Sequence, residues 1–224
     1  MASFQRVIFP TDFSKTAESA LKSAVAFATK HQAELHIVTV VDSSAFMYAG
    51  YPYADLTADL VNGATKKLQA LKLPAAASKL KVVPVVLEGD IGTEISAYAA
   101  KVRADVIVMA SHARGNVSRF FLGSVADRLL HSAKCPLLLM RAPDGTAKAP
   151  VRRDRGFKKI VVPTDFSVSA DVGLGRAMSL AEDYGAEVHI LHIVDAEPLG
   201  FLPRKEQLDA LKHVDEIAQK KLDE

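Results

Sequence analysis

Short apolar segments alternate with longer amphipathic segments along the first two thirds of the chain. The apolar segments are typical of strands buried on both faces, and they lie at residues 6–10, 34–41, 82–87, 105–109 and 136–140. Apolar residues recur at helical spacing after Ser14 and over residues 56–73, 91–103 and 124–133. This alternation predicts an α/β domain in which helices cover both faces of a five-stranded parallel sheet.

The same pattern begins again 153 residues later. The segment FPTDFS at Phe9–Ser14 returns as VPTDFS at Val162–Ser167, and residues 4–42 share 16 of 39 positions with residues 157–195. A period this long indicates a duplicated domain and not a solenoid of short repeats. The second copy contains only a predicted strand, helix, strand and helix, at residues 159–162, 170–184, 187–194 and 203–222.

The repeat and the composition between its copies predict how the chain is organised. We expect a complete domain at residues 1–143 and a partial second domain at residues 157–224. Residues 144–156 join them, because they lack an apolar period and contain prolines, glycines and a cluster of charges.

Composition and charge narrow the classes of function. The net charge of +2 predicts no strong attraction to nucleic acid or to an anionic membrane. The single cysteine, Cys135, excludes a disulfide framework and is expected to be a small buried apolar residue. No apolar stretch has the ~20 residues that a membrane span needs, and the N-terminus lacks the apolar core of a signal peptide. We therefore expect a cytoplasmic protein with no membrane partner.

Candidate binding residues follow the predicted strands. In an open doubly wound sheet, ligands bind beyond the carboxyl ends of the strands. The first strand leads to Pro10, Thr11 and Asp12, the second contains Val40, and the fourth leads to Met109, Ala110 and His112. The next helix begins at Gly123, Ser124 and Val125, where free N–H groups and a partial positive charge suit a phosphate.

These residues predict an adenine nucleotide that lies across the edge of the sheet. The carboxylate of Asp12 could accept a hydrogen bond from a ribose hydroxyl or from the adenine amine, and Val40 and Val125 could form apolar walls for the base. The phosphates would lie at Gly123 and Ser124, where glycine allows the backbone to approach closely.

Each candidate also has a structural interpretation. Asp12 could brace the turn or cap the first helix, and His112 could brace its loop or face solvent. Arg114 could screen a triphosphate or be an ordinary surface charge.

His189 and His192 lie three apart on a predicted strand, which places them on opposite faces and makes a shared metal site improbable. No base and nucleophile occur at a recognised spacing, so catalysis beyond slow ATP hydrolysis is not predicted.

Two segments resemble the universal stress protein family over residues 1–143 and, in part, 157–222. They are PTDFS after the first strand and MASHARGNVSRFFLGSVADRLLHSAKCPLLLMR at residues 109–141. The resemblance implies a five-stranded parallel open sheet of order 3-2-1-4-5, which is Rossmann-like and of the adenine nucleotide alpha hydrolase-like type. It also implies a homodimer through the fifth strand, here Pro136–Met140.

The resemblance also bears on the ligand. The nucleotide-binding branch of the family carries the pattern G-x2-G-x9-G-[ST], which falls here on Ala110, Ala113, Gly123 and Ser124. If the glycine replaced by Ala113 has positive φ, alanine costs ~1–2 kcal/mol, or up to about tenfold in affinity. Three functions remain open. They are a cytoplasmic stress-response protein that binds ATP, ADP or AMP with or without Mg²⁺, a dimerisation or partner-binding module without nucleotide, and a weak ATPase.

Overall fold

The computed structural model describes residues 4–42, 53–111, 123–141, 156–194 and 204–223. The chain divides into two compact units, residues 3–154 and residues 155–224. Within the described ranges, no helix is long and apolar enough to cross a membrane.

The first unit is built on a parallel sheet of five strands. They are β1 (Arg6–Pro10), β2 (Glu34–Val41), β3 (Val82–Glu88), β4 (Val106–Ser111) and β5 (Leu137–Arg141). Their order is β3-β2-β1-β4-β5, with every neighbouring pair parallel. The predicted fold class and strand order are confirmed.

In the described part of this unit, four α-helices and one short 3-10 helix connect these strands. They are α1 (Lys15–His31), α2 (Tyr53–Gln69), the 3-10 helix Ala75–Lys79, α3 (Ile91–Val102) and α4 (Ser124–Ser132). Ser14 begins α1, as its hydroxyl oxygen accepts a hydrogen bond from the N–H of Ala17 at 3.1 Å. Helices α3 and α4 pack on one face of the sheet, over a core that includes Ile8, Val38 and Ile107.

The buried side chain of His36 pairs with the partly buried Tyr98 beside this core. His36 of β2 is 5% exposed, and its Nδ1 lies 2.7 Å from the hydroxyl of Tyr98 on α3. Its Nε2 lies 3.6 Å from a carboxylate oxygen of Glu34, which is beyond hydrogen-bonding distance but close enough for electrostatic attraction. Burial lowers the pKa of His36, and the nearby charge of Glu34 opposes that shift. The imidazole is therefore neutral in the folded protein near pH 7. Because Nε2 faces the Glu34 carboxylate, the tautomer with its proton on Nε2 is favoured, and in that tautomer Nδ1 accepts from the Tyr98 hydroxyl.

The second unit contains β6 (Lys159–Pro163), α5 (Val168–Tyr184), β7 (Glu187–Leu191) and α6 (Arg204–Asp223). Strands β6 and β7 form a two-stranded parallel sheet, in the register that β1 and β2 have in the first unit. The order of elements repeats β1, α1, β2 and α2, as the sequence duplication requires.

Some predicted boundaries differ from the structure. Helix α2 runs from Tyr53 to Gln69, where residues 56–73 were expected. Strand β7 ends at Leu191, so His192 lies beyond it and not within it as predicted. The reason is that its partner β6 ends at Pro163, which pairs with Leu191, whereas the equivalent β2 continues to Val41 because β3 pairs with it. Beyond the strand, Nδ1 of His192 donates to the carbonyl oxygen of Thr164 at 2.7 Å. The predicted linker lies outside the described residues except for Gly156.

Candidate functional site

The turn after β1 positions Asp12. The N–H of Thr11 donates to the carbonyl oxygen of Val38 at 2.8 Å, which extends the β1–β2 pairing past the end of β1. The hydroxyl oxygen of Thr11 then accepts from the N–H of Phe13 at 3.1 Å, and Oδ1 of Asp12 accepts from the N–H of Ser14 at 2.9 Å. Phe13 has a φ of 60°, which reverses the chain direction before α1. The turn is thus held by two side-chain to backbone hydrogen bonds.

The same turn occurs after β6. Oδ1 of Asp165 accepts from the N–H of Ser167 at 3.0 Å, the Thr164 hydroxyl accepts from Phe166 at 2.9 Å, and Phe166 has a φ of 61°. Hydrogen bonds from the side chain and N–H of Ser167 hold the pKa of Asp165 below its ordinary value. The aspartate therefore braces the turn in both units. In the first unit, the hydrogen bond from the N–H of Ser14 uses Oδ1, one of the two carboxylate oxygens of Asp12.

The start of α4 has a different geometry from the starts of α1 and α3. Ser14 and Asp90 cap α1 and α3 with side-chain oxygens, whereas α4 begins after Gly123 and receives no side-chain cap from the described residues. Gly123 has a φ of 85°, and a Cβ atom built on it would meet no described atom within 4 Å. Among the described atoms, none therefore fills the position beside the first N–H groups of α4, as binding of an anion there would need.

Contacts with α3 hold α4 in place. The guanidinium of Arg128 on α4 donates to Oδ2 of Asp90 at 2.5 Å, and the hydroxyls of Ser96 and Ser132 lie 2.6 Å apart. Oδ1 of Asp90 accepts from the N–H of Thr93 at 3.0 Å, and this hydrogen bond lowers the pKa of Asp90. Asp90 therefore caps α3 and anchors α4 at the same time. Sequence reasoning did not single out either residue of this pair, although an aspartate three positions before Thr93 is a recognisable helix cap.

Most of the predicted site residues meet at one edge of the sheet. Pro10 ends β1 and is followed by Thr11 and Asp12, and Met109 and Ala110 lie in the last three residues of β4. Val40, Met109 and Val125 all pack against the core cluster beneath that edge. Parallel strands end on the same side, so these residues and the start of α4 share it. His112, Ala113 and Arg114 lie outside the described residues.

This geometry defines a class of protein, an open doubly wound α/β protein with a duplicated strand–turn–helix motif. The sequence model of the universal stress protein family matches residues 3–141 and again residues 156–224. The chain belongs to the universal stress protein family.

Curated relatives support this assignment. The chain is 33% identical over 145 residues to Universal stress protein MJ0531 of Methanocaldococcus jannaschii, a match that covers 62% of this chain and 84% of the relative. It is 28% identical over 154 residues to Universal stress protein MJ0577 of the same organism, covering 62% of this chain and 95% of the relative.

Solved structures match either one unit or nearly the whole chain. The structure of MJ0577 superposes with a TM-score of 0.54 and 26% identity, and covers 64% of this chain and 99% of its own. A universal stress protein from Archaeoglobus fulgidus matches 99% of this chain and 76% of its own, with a TM-score of 0.66 and 20% identity. The second likeness shows that the fold of both units has a counterpart within one solved chain.

Proposed function

We propose that this chain is a cytoplasmic stress-response protein that binds ATP, ADP or AMP at the carboxyl edge of the five-stranded sheet. The phosphates would lie against the first N–H groups of α4, and Asp12 would contact the ribose or the base. His112, Ala113 and Arg114 would complete the phosphate side, where Mg²⁺ could bridge the phosphates. The protein would act on its partners through its nucleotide-bound state and not through turnover.

The observation that carries this proposal is the start of α4. The residue just before it is Gly123, whose missing side chain leaves the first N–H groups without a cap from the described residues. A helix end of this kind attracts an anion, because the unpaired N–H groups and the helix dipole act together. Asp12 lies at the same edge, since β1 and β4 are adjacent and parallel.

The apolar residues at this edge support a base-binding role. Val40, Met109 and Val125 are partly or largely buried and belong to or pack against one cluster, so they would supply an apolar floor for the base. Small-molecule sites typically combine such a floor with a few polar groups that fix orientation. Here the polar groups would be the Asp12 carboxylate on one side and the amides of α4 on the other.

A second function is favoured by the two alanines in the family's glycine pattern. Ala110 is in β4 opposite Met140, and Ala113 follows it in the loop before α4. If their methyl groups exclude the phosphates, the chain would be a dimerisation or partner-binding module without nucleotide. Mass spectrometry of ligand released from freshly purified protein separates these functions, because only the first predicts a bound nucleotide.

Calorimetric titration with ATP, ADP, AMP and adenosine in the presence of MgCl₂ tests the site directly. We expect binding in the micromolar range, with adenosine weaker than the phosphorylated ligands. Affinity no tighter than about 1 mM for every ligand would refute nucleotide binding. ATP turnover that disappears in Asp12→Ala would instead favour the weak ATPase.

Matched variants separate binding from folding. Asn at position 12 can still accept from the N–H of Ser14 but removes the charge, so Asp12→Asn should weaken binding by roughly tenfold or more while the protein stays folded. The same change at Asp165 is the control and should leave affinity unaltered. Gly123→Ala places a side chain at a φ of 85°, beside the proposed phosphates, and should weaken binding. Gly63→Ala is the control, because Gly63 lies within helix α2, and it should not affect binding.

We also propose that two chains pair through the outer edge of β5. Within the described sheet, β5 pairs with β4 on one side and forms the end of the strand order. Two copies related by a two-fold axis could therefore join their sheets along this edge. Light scattering that shows a monomer at micromolar concentration would contradict the proposal.

A further inference from the structure

One face of the two-stranded sheet in the second unit is exposed. Val162 of β6 is buried on the side where α5 packs. On the opposite side, Val161 is 60% exposed and Leu191 is 45% exposed. His189 pairs in register with Val161 and lies on the same side, because partners in a parallel sheet point the same way. Val161, His189 and Leu191, together with Lys159 and Glu187, are called the open face.

The first unit shows what such a face requires. The residues equivalent to Val161, His189 and Leu191 are Ile8, His36 and Val38, which are 0%, 5% and 0% exposed. There α3 covers them, with Ile95 and Ala99 in the same cluster and the Tyr98 hydroxyl against His36. The described part of the second unit contains no counterpart of α3 or β4. Its apolar residues thus have the chemistry of a sheet interior without its cover.

The charges at one end of the open face favour a second copy of the chain as the cover. Lys159 and Glu187 are adjacent there, with Nζ 3.1 Å from Oε2, and both are about two-thirds exposed. A face that carries one charge of each sign can meet an identical face with each lysine near a glutamate. Leu191 and Val161 would then meet apolar residues of the other copy, so the contact is complementary in both charge and polarity.

We propose that the open face is an interface between two copies of this chain. Two sheets pack face to face about 10 Å apart, and each open face would contribute the central pair Val161 and His189 with Leu191 at the end of β7. Ile193, which follows β7 and is exposed, extends the apolar part of each face. The interface is distinct from the β5 edge and does not depend on nucleotide.

Sedimentation equilibrium of the full chain without nucleotide tests the proposal. The substitutions are Leu191→Lys and the milder Val161→Thr, which keeps a β-branched residue in β6. Each should weaken self-association by roughly tenfold and lower the average mass at tens of micromolar. Leu130→Lys is the control, because Leu130 is similarly exposed on α4 but lies outside the open face, and it should leave the mass unaltered.

Hydrogen exchange then locates the contact. Amides of residues 159–163 and 187–193 should exchange more slowly at tens of micromolar than at submicromolar concentration in the wild type, and this difference should vanish in Val161→Thr. The proposal is overturned if the variants keep native circular dichroism and wild-type mass, or if the wild type is a monomer. It is equally overturned if these amides are protected to the same extent at every concentration, because another part of the same chain would then cover the face.

Discussion

Removal of the hydroxyl of Tyr98 should destabilise the five-stranded unit measurably. Tyr98→Phe keeps the ring but deletes the donor that lies 2.7 Å from Nδ1 of His36. Because His36 is 5% exposed, water cannot readily replace that donor. A buried polar atom left without a hydrogen bond costs about 1–3 kcal/mol, so the free energy of unfolding should fall by that amount. A unit of this size should lose about 2–4 °C of melting temperature for each kcal/mol.

The same pair makes stability depend on pH. Burial lowers the pKa of His36 in the folded state, whereas the unfolded imidazole titrates near about 6.5. Below that pH the unfolded chain binds a proton that the folded chain does not. The contribution of neutral His36 to the free energy of unfolding is therefore complete above about pH 7. This contribution falls as the pH drops, until folded His36 also takes up a proton.

Urea unfolding followed by circular dichroism at pH 7.5, 6.5 and 5.5 measures both effects. His213→Asn is the control, because His213 is exposed on α6 and lies outside the open face, and it should alter stability by no more than about 0.5 kcal/mol. A loss below about 0.3 kcal/mol in Tyr98→Phe would refute the argument, since it would mean that water or another group satisfies His36. Replacement of His36 by Asn should flatten the pH dependence between 7.5 and 5.5.

Two further predictions concern a helix end and the single thiol. Gln32 ends α1 with a φ of 53°, and the equivalent Gly185 ends α5 with a φ of 62°. Glycine adopts this left-handed conformation without the steric cost of a side chain. Gln32→Gly should therefore stabilise the first unit by about 0.5–1 kcal/mol, and Gly185→Gln should destabilise the second unit. Urea unfolding measures both, and a loss of stability in Gln32→Gly would contradict the reasoning. Burial raises the pKa of the half-buried Cys135, so a thiol reagent at pH 8 should react with it more slowly in the folded than in the unfolded protein. Equal rates in the two states would show that the thiol is accessible.

The fold followed from local patterns in the sequence. The five apolar segments, the recurrence of PTDFS and the helix cap at Ser14 each involve residues close together in the chain, and all have the predicted structure. The strand order was predicted from the family resemblance, and the structure confirms that order. Boundaries such as that of β7 were less predictable, because the end of a strand depends on its neighbours: β7 ends with its partner β6, whereas β2 continues alongside β3.

The candidate site was only partly predictable. Strand ends and the glycine before α4 pointed to one edge of the sheet, because parallel strands must end together. The role of Asp12 remained open in the sequence, and the structure shows that one of its oxygens braces the turn through Ser14. The anchor between Asp90 and Arg128 joins residues 38 positions apart, so no local pattern indicated it.

The sequence by itself determined that this chain repeats one α/β motif, because strand and helix periods and turn residues act over a few positions. Only the tertiary structure decided which repeated residues are buried. His36 and His189 occupy the same position in the two copies of one strand, ELHIV at residues 34–38 and EVHIL at residues 187–191, yet α3 covers the first while the second faces solvent. The physical reason is that burial depends on what packs against a face, and the packing partner lies far away in the chain.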